Sequence, residues 1–123
     1  MVDAVSKHGW VDDLDDALIS VELGGGRAIE FVIDTGFDGE LLLPLDFAEI
    51  LKLPLLGERN LLVVGGGTIT AFTSIVKIDW LGVQRTTELI LSEGTDQLIG
   101  TRLLRGTLLR IDYVNHLVEI EKP

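Results

Sequence analysis

Hydrophobic and polar side chains alternate along much of this chain, a pattern that predicts half-buried β-strands. The first such segment covers residues 17–23 and the second covers residues 29–33. Between them, residues 24–27 read Gly-Gly-Gly-Arg, which is typical of a tight turn. The first third of the chain therefore predicts a β-hairpin.

Later apolar segments predict more strands and two short helices. Proline suits the first turn of a helix, so we expect one helix over residues 44–53, and a second over residues 101–105 with Thr101 as its N-cap. The remaining strands are expected over residues 41–43, 61–64, 68–80, 85–91, 108–113 and 117–121. Six to eight short strands with one or two small helices predict an all-β, barrel-like fold.

The first 16 residues differ from the rest of the chain because they are polar and acidic. The run over residues 12–16 lacks the glycine and the distal glutamate of a calcium-binding loop. We therefore expect residues 1–16 to form a solvated, partly disordered N-terminal arm, with Trp10 docking on the body or on a partner chain. Residues 17–123 then form the single folded domain.

Composition narrows the possible functions. The net charge of -10 argues against nucleic acid and anionic membrane surfaces as partners. The chain has no cysteine, and its two histidines, His8 and His116, lie far apart in the sequence. We therefore expect no metal site and no cofactor. No segment has the length of a membrane span or the apolar core of a signal peptide, which favours a cytoplasmic location.

One tripeptide carries the candidate chemistry. The apolar residues 31–33 lead directly into Asp34-Thr35-Gly36, a motif that occurs once in the chain. A carboxylate at the end of a buried strand is costly unless it is hydrogen-bonded or used in a site. Two such aspartates can share one proton and activate a water molecule, as in the aspartic proteases. A single copy requires two chains to meet at a two-fold axis.

The order of the motifs resembles that of the retropepsin-like aspartic proteases, the family of retroviral proteases and their single-domain relatives. Asp34-Thr35-Gly36 follows an apolar strand, a glycine-rich hairpin comes roughly thirty residues later, and an apolar pair with glycine precedes the last strands. The resemblance extends from about residue 17 to residue 120. It implies that Asp34 is catalytic, and that Thr35 and Gly36 support it by locking the two turns together and by allowing close backbone approach.

The same resemblance implies two further sets of residues. The tip of the flap, a hairpin that closes over the substrate, would be formed by Gly65, Gly66, Gly67 and Thr68. The hydrophobic support beneath the catalytic turn would be formed by Leu98, Ile99 and Gly100.

The chain departs from the family pattern at two places. Phe37 stands where the family usually has alanine or serine, so it cannot donate a hydrogen bond to the catalytic carboxylate and is expected to narrow a neighbouring pocket. Asp38 matches an aspartate that pairs with an arginine in retroviral enzymes. Arg102 is the candidate partner here, although it lies one residue further along than in the viral pattern.

The sequence thus predicts a homodimeric aspartic endopeptidase with a peptide or protein substrate. The alternative is a retropepsin-like module that binds peptides or dimerises without cleaving, since a fold alone does not decide activity.

Overall fold

The computed structural model describes residues 5–62 and 64–123. Most of this part of the chain is β-structure, and its two helices have four residues each. The elements are β1 (Val5–Val11), β2 (Ala17–Leu23), β3 (Arg27–Ile33), β4 (Leu41–Pro44), α1 (Phe47–Ile50), β5 (Gly57–Leu62), β6 (Thr68–Trp80), β7 (Val83–Ser92), β8 (Leu98–Ile99), α2 (Thr101–Leu104), β9 (Leu108–Asp112) and β10 (Leu117–Lys122).

Six of the strands close into a barrel. Their order is β2, β3, β8, β4, β7 and β6, and β6 returns to β2 where Ile78 lies opposite Leu23. Strands β5 and β9 remain at the two edges of the sheet outside this barrel. The predicted all-β barrel with short helices is confirmed.

The barrel core follows from the alternation along the strands. In β2, the side chains of Ala17, Ile19, Val21 and Leu23 all point inward and are at most 5% exposed. On β3 the aromatic ring of Phe31 is fully buried. Burying a side chain of this size contributes about 1.5–3 kcal/mol to the free energy of unfolding. The strand that leads into Asp34 is therefore firmly held in the core.

The predicted N-terminal arm is wrong for residues 5–11. These residues form β1, which pairs antiparallel with β10 along its length and with β2 at its end. The acidic run that follows is a tight loop, because Asp12 Oδ1 accepts hydrogen bonds from the backbone N–H groups of Leu14 (3.0 Å) and Asp16 (2.9 Å). Residues 1–4 of that arm, and Val63 of the strand predicted over residues 61–64, lie outside the described residues.

The first predicted helix is shorter than expected. Only α1 is helical within residues 44–53, since Pro44 still belongs to β4 and Lys52 has a φ of 54° that ends the helix. The second, α2, has Gly100 as its N-cap rather than Thr101. None of the helices in the described ranges has the length and apolar character needed to cross a membrane.

Candidate active site

Asp34 lies at the first position after β3, in a turn that we call the Asp34 turn (residues 34–37). Its backbone N–H donates to the carbonyl of Ile99 at 2.9 Å, and its own carbonyl accepts from Phe37 N–H at 3.1 Å. The first bond ties the turn to β8, and the second closes the turn. The buried strand β3 and the neighbouring strand β8 therefore fix the backbone of Asp34.

The carboxylate of Asp34 is held within the same turn. Its Oδ1 accepts a hydrogen bond from the backbone N–H of Gly36 at 2.8 Å. A Cβ atom at position 36 would lie 3.2 Å from that oxygen, so glycine here leaves room for the carboxylate. The side chain is partly buried, and Thr35 beside it is exposed. The contact of Thr35 with an opposing turn needs a second chain and stays a prediction.

The segment around Gly100 is hydrogen-bonded to the Asp34 turn and to the residues that follow it. The N–H groups of Gly100, Thr101 and Arg102 donate to the carbonyls of Glu40 (3.0 Å), Phe37 (2.8 Å) and Gly39 (3.1 Å), respectively. Thr101 Oγ1 also bonds the Phe37 carbonyl at 3.3 Å instead of capping α2.

Gly100 has no room for a side chain. A Cβ atom there would meet both the ring and the carbonyl oxygen of Phe37 at 2.6 Å. Ile99 beside it is fully buried and Leu98 partly so. The role of these three residues as hydrophobic support of a catalytic turn stays a prediction.

A cavity of about 850 Å³ joins the Asp34 turn to the hairpin formed by β5 and the start of β6, which we call the β5–β6 hairpin. Its walls come from the turn, from the hairpin, and from β7 and the loop after it. The lining includes Asp34, Phe37, Asp38, Arg59, Val64 and Arg102. The Asp34 side chain and residues of the β5–β6 hairpin therefore line one and the same cavity.

The predicted flap residues form the exposed tip of the β5–β6 hairpin. Gly65 and Gly66 have φ angles of 101° and 90°, which glycine adopts at little cost. Among the described residues that line the cavity, Leu62, Val64 and Ile69 are present, but Gly65, Gly66, Gly67 and Thr68 are not. These four residues therefore do not line the cavity in this conformation, and their contact with substrate stays a prediction.

The two departures from the family pattern have different outcomes. Phe37 lines the cavity and packs beside Leu42 and Ile90, and its narrowing of a pocket stays a prediction. Asp38 and Arg102 line the same cavity but form no ion pair within the described chain. Both side chains are exposed, and a solvated pair gains little from such contact.

Two ion pairs close to the site were not predicted. Glu40 is 7% exposed and pairs with Arg85 on β7, while Glu88 on β7 pairs with Arg59 on β5 at 3.2 Å. The partners are 45 and 29 residues apart, so short-range patterns do not reveal them. A carboxylate at the head of the apolar run 41–43 was the available signal for Glu40.

The described residues hold no group of three or more histidine, aspartate or glutamate side chains that could bind a metal ion.

Solved structures show which fold this is. A retropepsin-like aspartic protease from Rickettsia conorii superposes with a TM-score of 0.71 at 19% sequence identity, covering 98% of this chain and 96% of that one. An EIAV protease bound to an inhibitor gives a TM-score of 0.64 at 20% identity, covering 76% of this chain and 90% of that one. No protein-family model matches the sequence, and no curated protein matches it. The chain has the retropepsin-like aspartic protease fold.

Proposed function

We propose that this protein is an aspartic endopeptidase that works as a homodimer, with one Asp34 from each chain forming the catalytic pair. The observation that carries the proposal is the cavity that places the Asp34 carboxylate opposite the β5–β6 hairpin. The solved structures of the same fold, which are aspartic proteases, add support.

The proposed chemistry needs both chains. Two carboxylates at close range cannot both ionise easily, so the pair holds one proton. The ionised Asp34 accepts a proton from a water molecule, whose oxygen attacks the peptide carbonyl carbon. The protonated Asp34 donates its proton to the carbonyl oxygen, which gives a tetrahedral gem-diol. The first aspartate then donates the proton it took from water to the amide nitrogen, the C–N bond breaks, and the second aspartate takes a proton from a gem-diol hydroxyl, which restores the pair. Thr35 and Gly36, at the surface of the turn, are available to contact the second copy.

Outside the two Asp34 turns, only a strand at a sheet edge is available to pair with the second copy of the chain. Strand β10 is already flanked on both sides, by β1 and by β9 of its own chain. Among the terminal strands of the described residues, β9 is the one at the edge of the sheet. The cytoplasmic location expected from the cysteine-free sequence also stays a prediction.

The test combines cleavage with assembly state. The full chain and Asp34→Asn are incubated with a peptide library from about pH 3.5 to pH 7.5, which spans the range where carboxylates gain their protons. Sedimentation at micromolar concentration is measured in parallel. We expect cleavage by the parent protein, a loss of about 10³-fold or more in Asp34→Asn, and a dimer in both.

The matched control is Asp38→Asn, which removes a neighbouring exposed carboxylate from the same cavity. Full activity in Asp34→Asn, or a protein that stays monomeric while cleaving, would overturn the proposal. Saturable peptide binding without cleavage at every pH would favour the non-catalytic peptide-binding module instead.

A further inference from the structure

The carboxylate of Glu40 is buried next to the Asp34 turn, although the proposed chemistry does not use it. Its side chain is 9% exposed. One carboxylate oxygen accepts from the backbone N–H of Glu88 at 3.0 Å, and the other pairs with the guanidinium of Arg85. Its backbone carbonyl accepts from Gly100 N–H at 3.0 Å. Glu40, three residues after the Asp34 turn, is thus bonded both to β7 and to the residue that precedes α2.

Glu88 extends this connection to the β5–β6 hairpin. Its carboxylate accepts a hydrogen bond from Arg59 Nη1 at 3.2 Å, and Arg59 lies on β5 and lines the cavity. Strand β5 pairs only with β6 within the described sheet. The Arg59–Glu88 pair is therefore a side-chain tie from this edge strand to the barrel wall.

Sheet register explains why the two glutamates meet. Strands β4 and β7 are parallel, with Leu41 opposite Leu89 and Leu42 opposite Ile90. Continuing that register by one residue sets Glu40 beside Glu88. The Glu88 backbone N–H can then bond Glu40 while the Glu88 carboxylate reaches Arg59.

Energetics favour a positional role over a stabilising one. A buried ion pair recovers little net stability because desolvation offsets most of the attraction. The Arg59–Glu88 pair is also partly exposed, with side chains 42% and 31% accessible, and such pairs contribute little. Removing one partner of the Glu40–Arg85 pair nevertheless leaves a buried charge unpaired, so the geometry around Glu40 is strongly specified.

We propose that Glu40 and Glu88 form a positioning unit that sets the Asp34 turn and the β5–β6 hairpin at a fixed separation across the cavity. Glu40 holds the turn, Glu88 with Arg59 holds the hairpin, and the Glu88 N–H to Glu40 bond joins the two. Its effect on catalysis rests on the proposed function, but the geometric coupling does not.

Amide NMR of three single variants tests the coupling without any substrate. Glu40→Gln keeps the size of the side chain and removes its charge, and Arg59→Gln and Glu88→Gln break the second pair. We expect Arg59→Gln to shift the amide signals of Gly36 and Gly100, which it does not touch, and Glu40→Gln to speed hydrogen exchange along β5. The matched control is Glu119→Gln, which breaks an exposed pair with Arg110 on β9.

A double variant separates a unit from two independent contacts. If Arg59 and Glu88 act only through each other, the Arg59→Gln, Glu88→Gln double variant gives the same β5 exchange rates as either single variant. Additive increases, or unchanged Gly36 and Gly100 signals in Arg59→Gln, would overturn the coupling.

Peptide kinetics then measure the two ends of the unit. We expect Arg59→Gln to raise KM about two- to fivefold with little change in kcat, as for loss of a partly exposed pair. Glu40→Gln should lower kcat about tenfold or more, since small displacements at a reacting group are costly. Equal effects on kcat and KM in both variants would contradict the assignment. Coupled amides with no cleavage by the parent protein would sink the proposed function and leave the unit standing.

Discussion

The Asp34 turn and the β5–β6 hairpin line the same cavity, but the turn and the tip of the hairpin are built in opposite ways. The turn follows a core strand, and hydrogen bonds from β8 and the start of α2 fix its backbone. The hairpin tip has Leu62 83% exposed, Val64 fully exposed, and nothing within 4 Å of a Cβ placed at Gly65 or Gly66. The backbone of the Asp34 turn is therefore held by more local contacts than the backbone of the hairpin tip.

This contrast fits the proposed function, in which the catalytic carboxylate stays fixed while a peptide substrate enters the cavity. Local stability is uneven across proteins, and segments with few buried contacts open most readily. Under the proposed function, a rigid turn would preserve the geometry of the carboxylate, and a tip with few contacts would move aside for a peptide and then cover it.

The largest effect is expected from filling the space beneath the turn. Gly100→Ala places a methyl group 2.6 Å from the ring and the carbonyl oxygen of Phe37. Backbone cannot yield there without moving the Asp34 turn, so we expect a loss of about 1–3 kcal/mol in the free energy of unfolding, together with loss of cleavage. Urea unfolding and a peptide assay measure the two effects.

The control for that change is Gly24→Ala in the β2–β3 turn. It has nothing within 4 Å of the new atom and no positive φ, so stability should stay within about 0.5 kcal/mol of the parent. Comparable losses in the two variants would mean that the turn is no more constrained than an ordinary loop.

Hydrogen exchange compares the two regions directly. The backbone amides of Asp34, Phe37 and Gly100 donate to the carbonyls of Ile99, Asp34 and Glu40, respectively, and we expect them to be among the more protected. The amides of residues 64–67 should exchange far faster, through local opening. A ligand that occupies the cavity should slow exchange at the tip and leave the turn unchanged. Equal protection of turn and tip in the free protein would break the comparison.

A smaller effect is expected from Phe37→Ser. A serine hydroxyl at this position can donate a hydrogen bond to the ionised form of Asp34, and such a bond favours that form. We therefore expect the bell-shaped pH profile of cleavage, centred at mildly acidic pH in the parent, to move to lower pH. Phe37→Ala also removes the ring but supplies no donor, so an equal shift in both variants would assign the change to lost packing.

The smallest effect comes from a third turn, remote from the cavity, between β9 and β10. Backbone and side-chain hydrogen bonds from Asn115, and one from Val114 N–H, lower the pKa of Asp112 below its usual range. A lowered pKa contributes stability above the unfolded pKa of about 3.9, and the contribution is lost as pH falls through the folded value. Asp112→Asn should therefore lower Tm slightly at pH 7, and the difference should vanish in strong acid. A difference independent of pH would contradict this origin.

Local patterns predicted much of the barrel and the candidate site. Alternation identified β2 and β3, and the carboxylate after an apolar strand identified Asp34. The missed features depend on partners distant in sequence. Strand β1 reads as polar, and pairing with β10 at the other end of the chain orders it. Close packing of Gly9 against the Leu18 carbonyl also leaves no hydrophobic signal.

The predicted length of the first helix and the predicted Asp38–Arg102 pair differ from the structure for related reasons. The first helix was predicted over residues 44–53 from one apolar face, but Pro44 is drawn into β4, opposite Ser92. Asp38 and Arg102 were paired by analogy, whereas the buried pair joins Glu40 to Arg85 across 45 residues. Burial decides which charges must pair, and burial here is set by the tertiary fold.

Subunit mixing tests the central claim, a site built from two copies of Asp34, most directly. Parent protein and Asp34→Asn are mixed in known ratios at constant total concentration and allowed to exchange subunits, and the rate of peptide cleavage is measured. If each active site needs one intact Asp34 from both chains, the rate falls as the square of the parent fraction, so an equal mixture retains about one quarter of the activity. A rate that falls linearly, with half the activity in the equal mixture, would show that each chain acts alone and would contradict the account.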